Sequence, residues 1–456
     1  MSFLDKRYLL SGNSSEKIFE AVQGLPIIDA HNHCDVKALA EDRNFSDIWE
    51  CEASTDHYVW ECFRKCGVPE EYLTGKNHTN REKWLKTAEF FPLLAGNPTY
   101  EWIHLDLKRR LGINQLICKE NAKEIWEKSC KVLKTKKKSQ QNLILEMNVE
   151  AMCSTDDPLD TLEYHAQLQK SPLAGRVRPT FRPDKAMNIN KPGWADYIKA
   201  LGKRWKTQIT SIDRLVAVLQ KAHDFFAENG CRASDHGVNT PYCYLVSKQE
   251  ANRIFCKALK GEPITNEEFV VYHSYFMHQV AKMDAEKGFV FQLHIGAVRD
   301  VRDSLYKSLG LDCGGDVCDH KTDFVQPLLP LLNQFDGKLK VVLYNMNPIH
   351  NATLAQLTRA FGHTVSLGLA WWLNDSYIGM KTQLEYCSSV DLLTNMAGMV
   401  SDSRKILSYG SRFEVFRRTL SNVLGGMVDR GQVALPVAKN VAMMLCYERP
   451  KSLFGF

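Results

Sequence analysis

The chain has 456 residues, of which 44% are hydrophobic and 24% are charged, and its formal net charge is +5. This size and composition allow a substantial buried core and exclude a disordered chain. The charged residues are spread along the chain without a contiguous basic arm, so we expect no nucleic-acid partner.

The sequence also indicates where the protein resides. The apolar runs are short and interrupted, and none reaches the roughly 20 residues that span a bilayer, so we expect no membrane partner. Charged residues at positions 5–7 interrupt what would be the apolar part of a signal peptide. The 14 cysteines are scattered without a Cys-x-x-Cys pair, a pattern typical of free thiols. We therefore expect a cytoplasmic protein.

In chain order, the first predicted elements are a short helix and a buried strand. Residues 14–22 combine a hydroxyl cap with apolar residues at helical spacing, and Gly24 ends the helix. The apolar strand at residues 26–30 is followed by His31 and His33. Because alternate residues of an extended chain share a face, these two imidazoles can bind one metal ion. The alternative is that both histidines are polar residues at a strand end.

The segment after the first strand is predicted to be helical. Its amphipathic runs cover residues 56–66, 81–94, 100–111 and 121–133. We therefore predict a helical insertion subdomain at residues 37–141, between the two parts of a barrel domain, residues 1–36 and 142–456.

From residue 149 onward, short β-favouring runs alternate with helix-like segments, as βα units require. The predicted strands of the whole chain are residues 26–30, 149–155, 176–182, 231–235, 290–294, 339–344, 364–370 and 395–400. Helices are predicted between them, including one at residues 157–163 and one at 212–229. Eight such strands predict an α/β fold, a closed (β/α)8 barrel, with a doubly wound sheet as the alternative.

Polar side chains follow most of the predicted strands, at the end where a (β/α)8 enzyme places its chemistry. After the first strand and its histidines, they are Thr155 to Asp157, Arg182 and Asp184, Asp235 and His236, His294, Trp371 to Asp375, and Ser401 to Arg404. Any one of them could be a helix cap. Together they predict an active site at this end.

The predicted metal ligands are His31, His33 and Asp402. Two imidazoles and a carboxylate suit a divalent ion such as Zn²⁺. Asp402 is the preferred carboxylate because its strand would close the barrel beside the first strand, although it could instead cap the next helix. His294 is a further ligand, a proton-transfer group or a structural histidine.

Two arginines predict an anionic substrate. Arg182 and Arg404 would form a guanidinium fork that matches a carboxylate or a phosphate. In the alternative, each arginine pairs with a neighbouring aspartate for structure. Trp371 and Trp372 could form an apolar wall against a sugar, or one of them could be a core residue.

These residues resemble those of the uronate (glucuronate) isomerases of the amidohydrolase superfamily, over essentially the whole chain. The matching motifs are Asp29-Ala-His-Asn-His33, Thr55-Asp-His-Tyr-Val-Trp60, Gly96-Asn-Pro-Thr-Tyr-Glu-Trp102, Arg182-Pro-Asp184, Gln292-Leu-His-Ile-Gly296, Trp371-Trp-Leu-Asn-Asp375 and Ser401-Asp-Ser-Arg404. His-x-His alone indicates only the superfamily, whereas the ordered set is specific to the isomerases.

The resemblance implies interconversion of D-glucuronate with D-fructuronate and of D-galacturonate with D-tagaturonate. It implies a distorted (β/α)8 TIM barrel with a helical insertion after strand one, and one divalent metal, usually zinc, at the predicted ligands. It also implies that Arg182, His294 and Arg404 line the substrate site and that His57 and Tyr58 reach it from the insertion. We expect a small hexuronate as the partner and a homo-oligomer as the assembly.

The chain departs from the two-metal amidohydrolases. Those enzymes usually carry a bridging lysine after strand four and a histidine after strand six, where this chain has Asp235-His236 and Asn345. His350 remains a weak candidate for the site. Cys34 follows the histidine pair, and its side chain should point away from them.

The isomerase hypothesis requires proton transfer between C2 and C1 through an enediolate whose charge must be stabilised. We expect Arg404 and the metal to hold one end of the sugar acid, with Tyr58, Asp402 and His294 as candidates for the proton transfers. A phenolic base at Tyr58 would need a strongly lowered pKa. The alternatives are a one-metal amidohydrolase that splits a C–N bond and a catalytically inactive sugar-acid-binding barrel.

Overall fold

Seven parallel strands form the centre of the protein in the computed structural model, which describes residues 3–456. The strands of the described chain are β1 (Ile27–Asp29), β2 (Val149–Cys153), β3 (Val177–Arg178), β4 (Ala233–Val238), β5 (Val290–Ile295), β6 (Ala297–Val298), β7 (Val317–Cys318), β8 (Lys340–Asn345) and β9 (Val365–Leu367). One parallel sheet has the order β1-β2-β3 and the other has the order β4-β5-β8-β9, while β6 and β7 pair antiparallel. The protein is therefore an α/β fold with parallel sheets, as predicted.

Phe181 connects the two parallel sheets. Its N–H donates to the carbonyl of Ala233, and its own carbonyl accepts from the N–H of Asp235. It also forms a parallel bridge with Asp156, beyond the end of β2. The polar residues that follow β2, β3 and β4 are therefore held side by side.

β5 has buried side chains along its whole length. Its sequence Val-Phe-Gln-Leu-His-Ile is paired on both sides, with β4 and with β8. A parallel strand covered on both faces needs a near-continuous apolar run, which explains its composition. Gln292 and His294 are the two polar residues in this run, and each requires a hydrogen-bond partner because a buried polar group is otherwise costly.

Helices cover the sheets and occupy most of the remaining chain. Their bounds are α1 Asn13–Val22, α2 Val36–Glu41, α3 Ile48–Glu52, α4 His57–Lys65, α5 Asn80–Ala88, α6 Pro98–Arg110, α7 Ala122–Leu133, α8 Gln140–Glu146, α9 Glu163–Leu168, α10 Asp184–Met187, α11 Trp194–Arg204, α12 Ile212–Glu228, α13 Lys248–Leu259, α14 Asn266–Lys287, α15 Asp303–Leu309, α16 Val325–Gln334, α17 Asn351–Ala360, α18 Tyr377–Val390, α19 Ser408–Asp429, α20 Leu435–Met443 and α21 Arg449–Phe454. Helices α2 to α8 lie between β1 and β2 in the sequence. None of the helices in residues 3–456 is long and apolar enough to cross a membrane.

The prediction of a strand at residues 395–400 was wrong. Residues 393–395 form a 3-10 turn, and the extended residues after it have no strand ladder. Gly398 has a φ of +91°, which interrupts the alternation that a strand requires, and an added Cβ there would lie 3.0 Å from Pro450. The segment still donates from Ala397 N to the carbonyl of Leu367 in β9.

Two other predicted elements are shorter or displaced. The third strand is limited to two residues because Pro179 has no N–H for a ladder hydrogen bond. The helix predicted from Asp157 begins at Glu163 instead. Asp157 accepts from the N–H of Leu159, and Asp160 accepts from the N–H of Asp157, so these side chains close a turn in place of a helix.

Candidate active site and metal centre

A cavity of about 160 Å³ lies where the chain leaves β1, β5 and β9 at their carboxyl ends. The residues predicted for the site all line it: His31, His33, His57, Tyr58, Arg182, His294, Trp371, Trp372, Asp402 and Arg404. Four further residues line it to which the sequence analysis gave no role: Asp56, Arg299, Asp312 and Arg412. His350 packs on Phe324 outside the cavity, and Cys34 is buried away from it.

The three predicted ligands converge on one point. Asp402 Oδ1 lies 3.0 Å from His31 Nε2 and 3.1 Å from His33 Nε2. All three ligand atoms lie within 4.8 Å of one another. Ligands about 2.0–2.1 Å from a tetrahedral ion are roughly 3.3 Å apart, so this cluster fits one small divalent cation. Two nitrogens and one carboxylate oxygen leave a coordination position open.

Asp402 is held for this role by its backbone and by a tryptophan. Its backbone has a φ of +49°, and its N–H donates to the carbonyl of His31, just after β1. The Trp371 Nε1–H donates to Asp402 Oδ2 at 2.9 Å, which leaves Oδ1 for the histidines. Burial raises the pKa of Asp402, but the hydrogen bonds from His31 and His33 lower it well below its ordinary value. The side chain is therefore an anion.

Asp235 supports the two buried imidazoles from behind. Its oxygens lie 3.2 Å from His31 Nδ1 and 2.6 Å from His294 Nδ1, and Arg182 Nη1 is 3.3 Å away. Burial would raise the pKa of Asp235, but Arg182 and then the histidines hold it well below its ordinary value. A carboxylate at Nδ1 orients each ring so that Nε2 faces the cavity, where it can bind a metal once it is deprotonated.

His294 presents an unpartnered nitrogen to the cavity. Its Nε2 is buried without a hydrogen-bond partner in the described part of the chain. The ring stacks on Tyr344 at 4.4 Å and lies 4.1 Å from the ring of His31. Burial and then the neighbouring His31 lower the pKa of His294 to about 4, so the ring is neutral. It can accept a proton or a hydrogen bond at Nε2, and it also belongs with His31 and Asp235 to a second group of side chains close enough together to hold a metal ion.

The two predicted arginines differ in their partners. Arg182 donates to Asp184 Oδ2 at 3.0 Å and also contacts Asp235. Its position depends on Gly237, where an added Cβ would lie 2.5 Å from Arg182 Nη2. Arg404 does not pair with Asp402 but lies 3.4 Å from Asp312, and its side chain keeps 28% of its exposure. Arg404 is therefore the more available of the two guanidinium groups.

Tyr58 reaches the cavity from the N-terminal turn of α4. Asp56 caps this helix by accepting from the N–H of Tyr58, which fixes the ring beside His57. The Tyr58 hydroxyl is buried, and no hydrogen-bond partner for it lies within residues 3–456. Burial, reinforced by Asp375, raises the pKa of Tyr58 well above its ordinary value. The lowered pKa that a phenolic base at Tyr58 would need is therefore absent in this protein environment, and the protonated hydroxyl can act as a proton donor.

Arg412 is the most buried of the cavity residues that sequence analysis missed. Its guanidinium lies 3.9 Å from the ring of Trp102 and 4.9 Å from that of Tyr58. It donates to Asp375 Oδ2 at 2.5 Å and to the carbonyl of Ser401 at 3.0 Å. It sits within α19, away from any strand end, so a search of strand ends could not find it. Its partner Asp375 was visible in the sequence as the end of the Trp-Trp motif.

Two more missed residues belong to the excursion between β5 and β8. The antiparallel pair β6 and β7 and helix α15 bring Arg299 and Asp312 over the cavity. Arg299 lies 4.4 Å from the ring of Trp372 and pairs with Asp316 at 2.8 Å. Trp371 and Trp372 are both buried and both line the cavity. Each is therefore a core residue and also part of the apolar wall of the cavity.

The parallel α/β fold and the imidazole–carboxylate cluster at its strand ends define an α/β enzyme with a candidate metal centre. A family model described as glucuronate isomerase matches residues 1–454 of the chain. The chain therefore belongs to the glucuronate isomerase family, whose members are also named uronate isomerase and are aldose–ketose isomerases.

Individual relatives agree with this family. The chain is 48% identical over 452 residues to the uronate isomerase of Thermotoga neapolitana, covering 99% of each chain. The crystal structure of the uronate isomerase from Thermotoga maritima superposes with a TM-score of 0.97, at 47% identity and full coverage of both chains. The glucuronate isomerase from Caulobacter crescentus is similar at a TM-score of 0.95 and 26% identity, covering 100% of this chain and 97% of that one.

Proposed function

We propose that the protein interconverts D-glucuronate with D-fructuronate, and D-galacturonate with D-tagaturonate. The observation that carries this proposal is the full-length family match of a chain in which His31, His33 and Asp402 meet Arg404 in one cavity. An isomerase of hexuronates needs a centre that stabilises an enediolate and a cationic group that binds the sugar carboxylate. The cavity contains residues suited to both.

The metal ligands in this proposal are His31, His33 and Asp402, and the cofactor is one divalent ion, Zn²⁺. The short separations of the three ligand atoms and the unpartnered Nε2 of His294 support the presence of an ion in this part of the cavity. When bound, the metal would polarise the substrate oxygens and stabilise negative charge that develops on them. The ionised Asp402 also balances part of the metal charge.

The side chains around the ligands would bind and orient the substrate. Arg404 donates to the sugar carboxylate, after leaving Asp312, because a guanidinium fork matches a carboxylate. Arg182 adds positive charge, while His57 contributes a polar contact at the rim. Trp371 and Trp372 exclude water and pack on the apolar face of the sugar.

The chemical step moves one proton between C2 and C1 of the open-chain sugar and shifts the carbonyl. Tyr58 is protonated and faces the cavity, so it would donate a proton to the carbonyl oxygen, which converts the developing enediolate into an enediol. His294 Nε2, neutral and unpartnered, and Asp402 are the groups that would take the carbon-bound proton. Returning that proton to the neighbouring carbon, and the hydroxyl proton to Tyr58, completes the isomerisation.

The proposal extends to the architecture. Residues 395–400 would close a distorted (β/α)8 barrel between β9 and β1, since Ala397 N donates to Leu367 O and Asp402 N donates to His31 O. Residues 1–36 and 142–456 would then form the barrel domain, with residues 37–141 as a helical insertion that delivers His57 and Tyr58. We also propose a homo-oligomer, located in the cytoplasm, where the 14 free cysteines would stay reduced.

The direct test is turnover of glucuronate and galacturonate, followed by formation of the keto acid, together with metal analysis of the same sample. We expect activity that is lost on chelation and restored by Zn²⁺, and loss of both metal and activity in Asp402→Asn. Inactivity toward both hexuronates, with hydrolysis of an amide or cyclic imide instead, would replace the isomerase by a one-metal amidohydrolase. Binding of glucuronate without turnover would indicate an inactive binding protein.

A further inference from the structure

A second and larger cavity lies at the opposite end of β1 from the candidate active site. Its volume is about 490 Å³, and its walls include Ile27, the first residue of β1, and Met147, which precedes β2. The other walls come from the N-terminal segment, from the end of α6 and from α19. It has no lining residue in common with the candidate active site.

The walls of this second cavity are strongly cationic. Its charged lining consists of Lys6, Lys108, Arg109, Arg110, Arg417 and Arg418 against Asp5 and Glu414, which is six positive charges and two negative ones. Glu414 serves two of the arginines, since it lies 2.9 Å from Arg109 Nη2 and 2.9 Å from Arg418 Nε. The excess of positive charge is therefore carried mainly by the remaining lysines and arginines.

Arg417 is a buried charge without a carboxylate partner. Its residue is only 5% exposed, and its guanidinium donates to the main-chain carbonyls of Gln23, at 3.2 Å, and Pro26, at 2.9 Å. Its Nε is buried with no hydrogen-bond partner, and no carboxylate of the described residues is in ion-pair contact with it. Burying an unpaired charge is costly, so an anion in the cavity would relieve this arrangement.

Arg110 is a second lining residue with an unpartnered donor. It reaches Glu146 with Nη1 at 3.3 Å, while its Nε is buried without a partner in the part of the chain that the structure describes. Gly410 makes room for it, because an added Cβ there would lie 3.0 Å from Arg110 Nη2. Both arginines therefore line the same cavity, and each keeps one guanidinium N–H without a hydrogen-bond partner among the described residues.

We propose that this second cavity binds a small, multiply charged oxyanion, of the phosphate ester or polycarboxylate class. Guanidinium forks bind the paired oxygens of such groups, and Lys6 and Lys108 add charge at the rim. The volume admits a molecule of the size of a sugar phosphate. The site is separate from hexuronate isomerisation and does not depend on that proposed function.

The test is calorimetric titration of the full-length, metal-loaded protein at fixed ionic strength with inorganic phosphate, a hexose 1,6-bisphosphate and propane-1,2,3-tricarboxylate. With the candidate active site saturated by glucuronate, we expect saturable binding of one anion per chain, and the bisphosphate and tricarboxylate arms distinguish the two anion classes. Arg110→Gln and Lys108→Glu should each weaken binding by about tenfold or more. Arg404→Met, at the other cavity, should leave it unchanged.

Two further variants serve as controls for charge and for folding. Lys221→Glu makes the same charge reversal on an exposed residue of α12 and should leave binding unchanged. Arg417→Lys keeps the charge but removes the fork, and should weaken binding while preserving a folded protein. The proposal would be overturned if none of the three anions bound. It would also be overturned if Arg110→Gln and Lys108→Glu bound the anion as tightly as the wild-type protein does, or if Arg404→Met lost the binding.

Discussion

At the scale of single residues, Asp235 decides which histidine nitrogens face the cavity. The carboxylate lies at hydrogen-bond distance from Nδ1 of both His31 and His294, so each Nε2 is directed toward the candidate metal. Its charge is also the main reason why His31, whose burial alone would lower its pKa, has a pKa raised to about 9. One buried aspartate thus orients two imidazoles and contributes to the electrostatic environment of both.

Replacing Asp235 by asparagine should weaken metal binding without unfolding the site. The amide retains the size of the carboxylate but can accept from only one of the two imidazoles, so ring orientation is lost. We expect metal affinity or kcat to fall about 10- to 100-fold, as measured by competition with a chelating dye and by steady-state kinetics. Asp224→Asn, at an exposed ion pair with Lys287, is the control. Wild-type metal affinity and kcat in Asp235→Asn would contradict this role.

Arg404 should govern substrate affinity. A charge-assisted hydrogen bond contributes about 1.5–3 kcal/mol, so Arg404→Met should raise KM for glucuronate roughly 10- to 100-fold. Arg359→Met removes an exposed arginine from α17 and should leave KM unchanged. An Arg404→Met enzyme with normal KM would mean that another arginine, such as Arg412, receives the sugar carboxylate.

At the scale of elements, a buried ion cluster joins the two segments that carry the site. Lys405, next to Arg404, lies 3.2 Å from Glu52 at the end of α3 and 3.4 Å from Asp56, the cap of α4. All three are at most 3% exposed. This contact connects the position of Tyr58 to that of Asp402, which are far apart in the sequence.

Lys405→Met should destabilise the protein strongly. The substitution removes the cation that pairs with Glu52 and Asp56. Glu52 also lies near Asp106, and burial already raises the pKa of Asp106 well above its ordinary value. Removing one partner of a buried ion pair costs about 3–5 kcal/mol, which urea unfolding would measure. Adding Glu52→Gln to this variant should recover part of the loss. If Lys405→Met were as stable as Lys221→Met, an exposed lysine on α12, the cluster would not hold the segments together.

At the scale of the whole molecule, buried titratable groups act on stability in opposite directions. Burial lowers the pKa of His104, His165 and His273 to about 4. Burial raises the pKa of Asp29 and Asp375 to about 6. Between pH 4 and pH 6.5 the unfolded chain binds more protons at the histidines, and the folded chain binds more at the aspartates. The two groups therefore offset each other in the pH dependence of stability.

Replacing one buried histidine, His104, should reveal the histidine contribution to the pH dependence of stability. His104 donates from Nδ1 to the carbonyl of Tyr100 and accepts at Nε2 from the N–H of Ile117, so it folds as the neutral ring. Its folded pKa of about 4 lies below the ordinary value of 6.5, so its contribution is lost as pH falls from 6.5 toward 4. The stability deficit of His104→Gln should thus shrink by about 2 kcal/mol between pH 7.5 and pH 5. Urea unfolding at both pH values checks this, with exposed His363→Gln as the control; a constant deficit would contradict it.

Local patterns were sufficient where a residue's role depends on its near neighbours in the chain. Apolar runs bounded by polar residues predicted seven of the nine strands, and the alternation of a strand paired His31 with His33. The predictions failed where single residues shape the backbone through turns. Pro179 and Gly398 act through a missing N–H and a positive φ, and the side chains of Asp157 and Asp160 compete with a helix.

The sequence by itself determined the family, the α/β class and the residues that gather in the candidate site, because these follow from ordered motifs and strand periodicity. Only the tertiary structure decided which partners the site residues have and which of their side chains are protonated. The pairing of Arg404 with Asp312, the place of Arg412 under Tyr58 and the raised pKa of Tyr58 depend on which distant segments meet. Desolvation and ion pairing are properties of the packed surroundings, which no local pattern of residues contains.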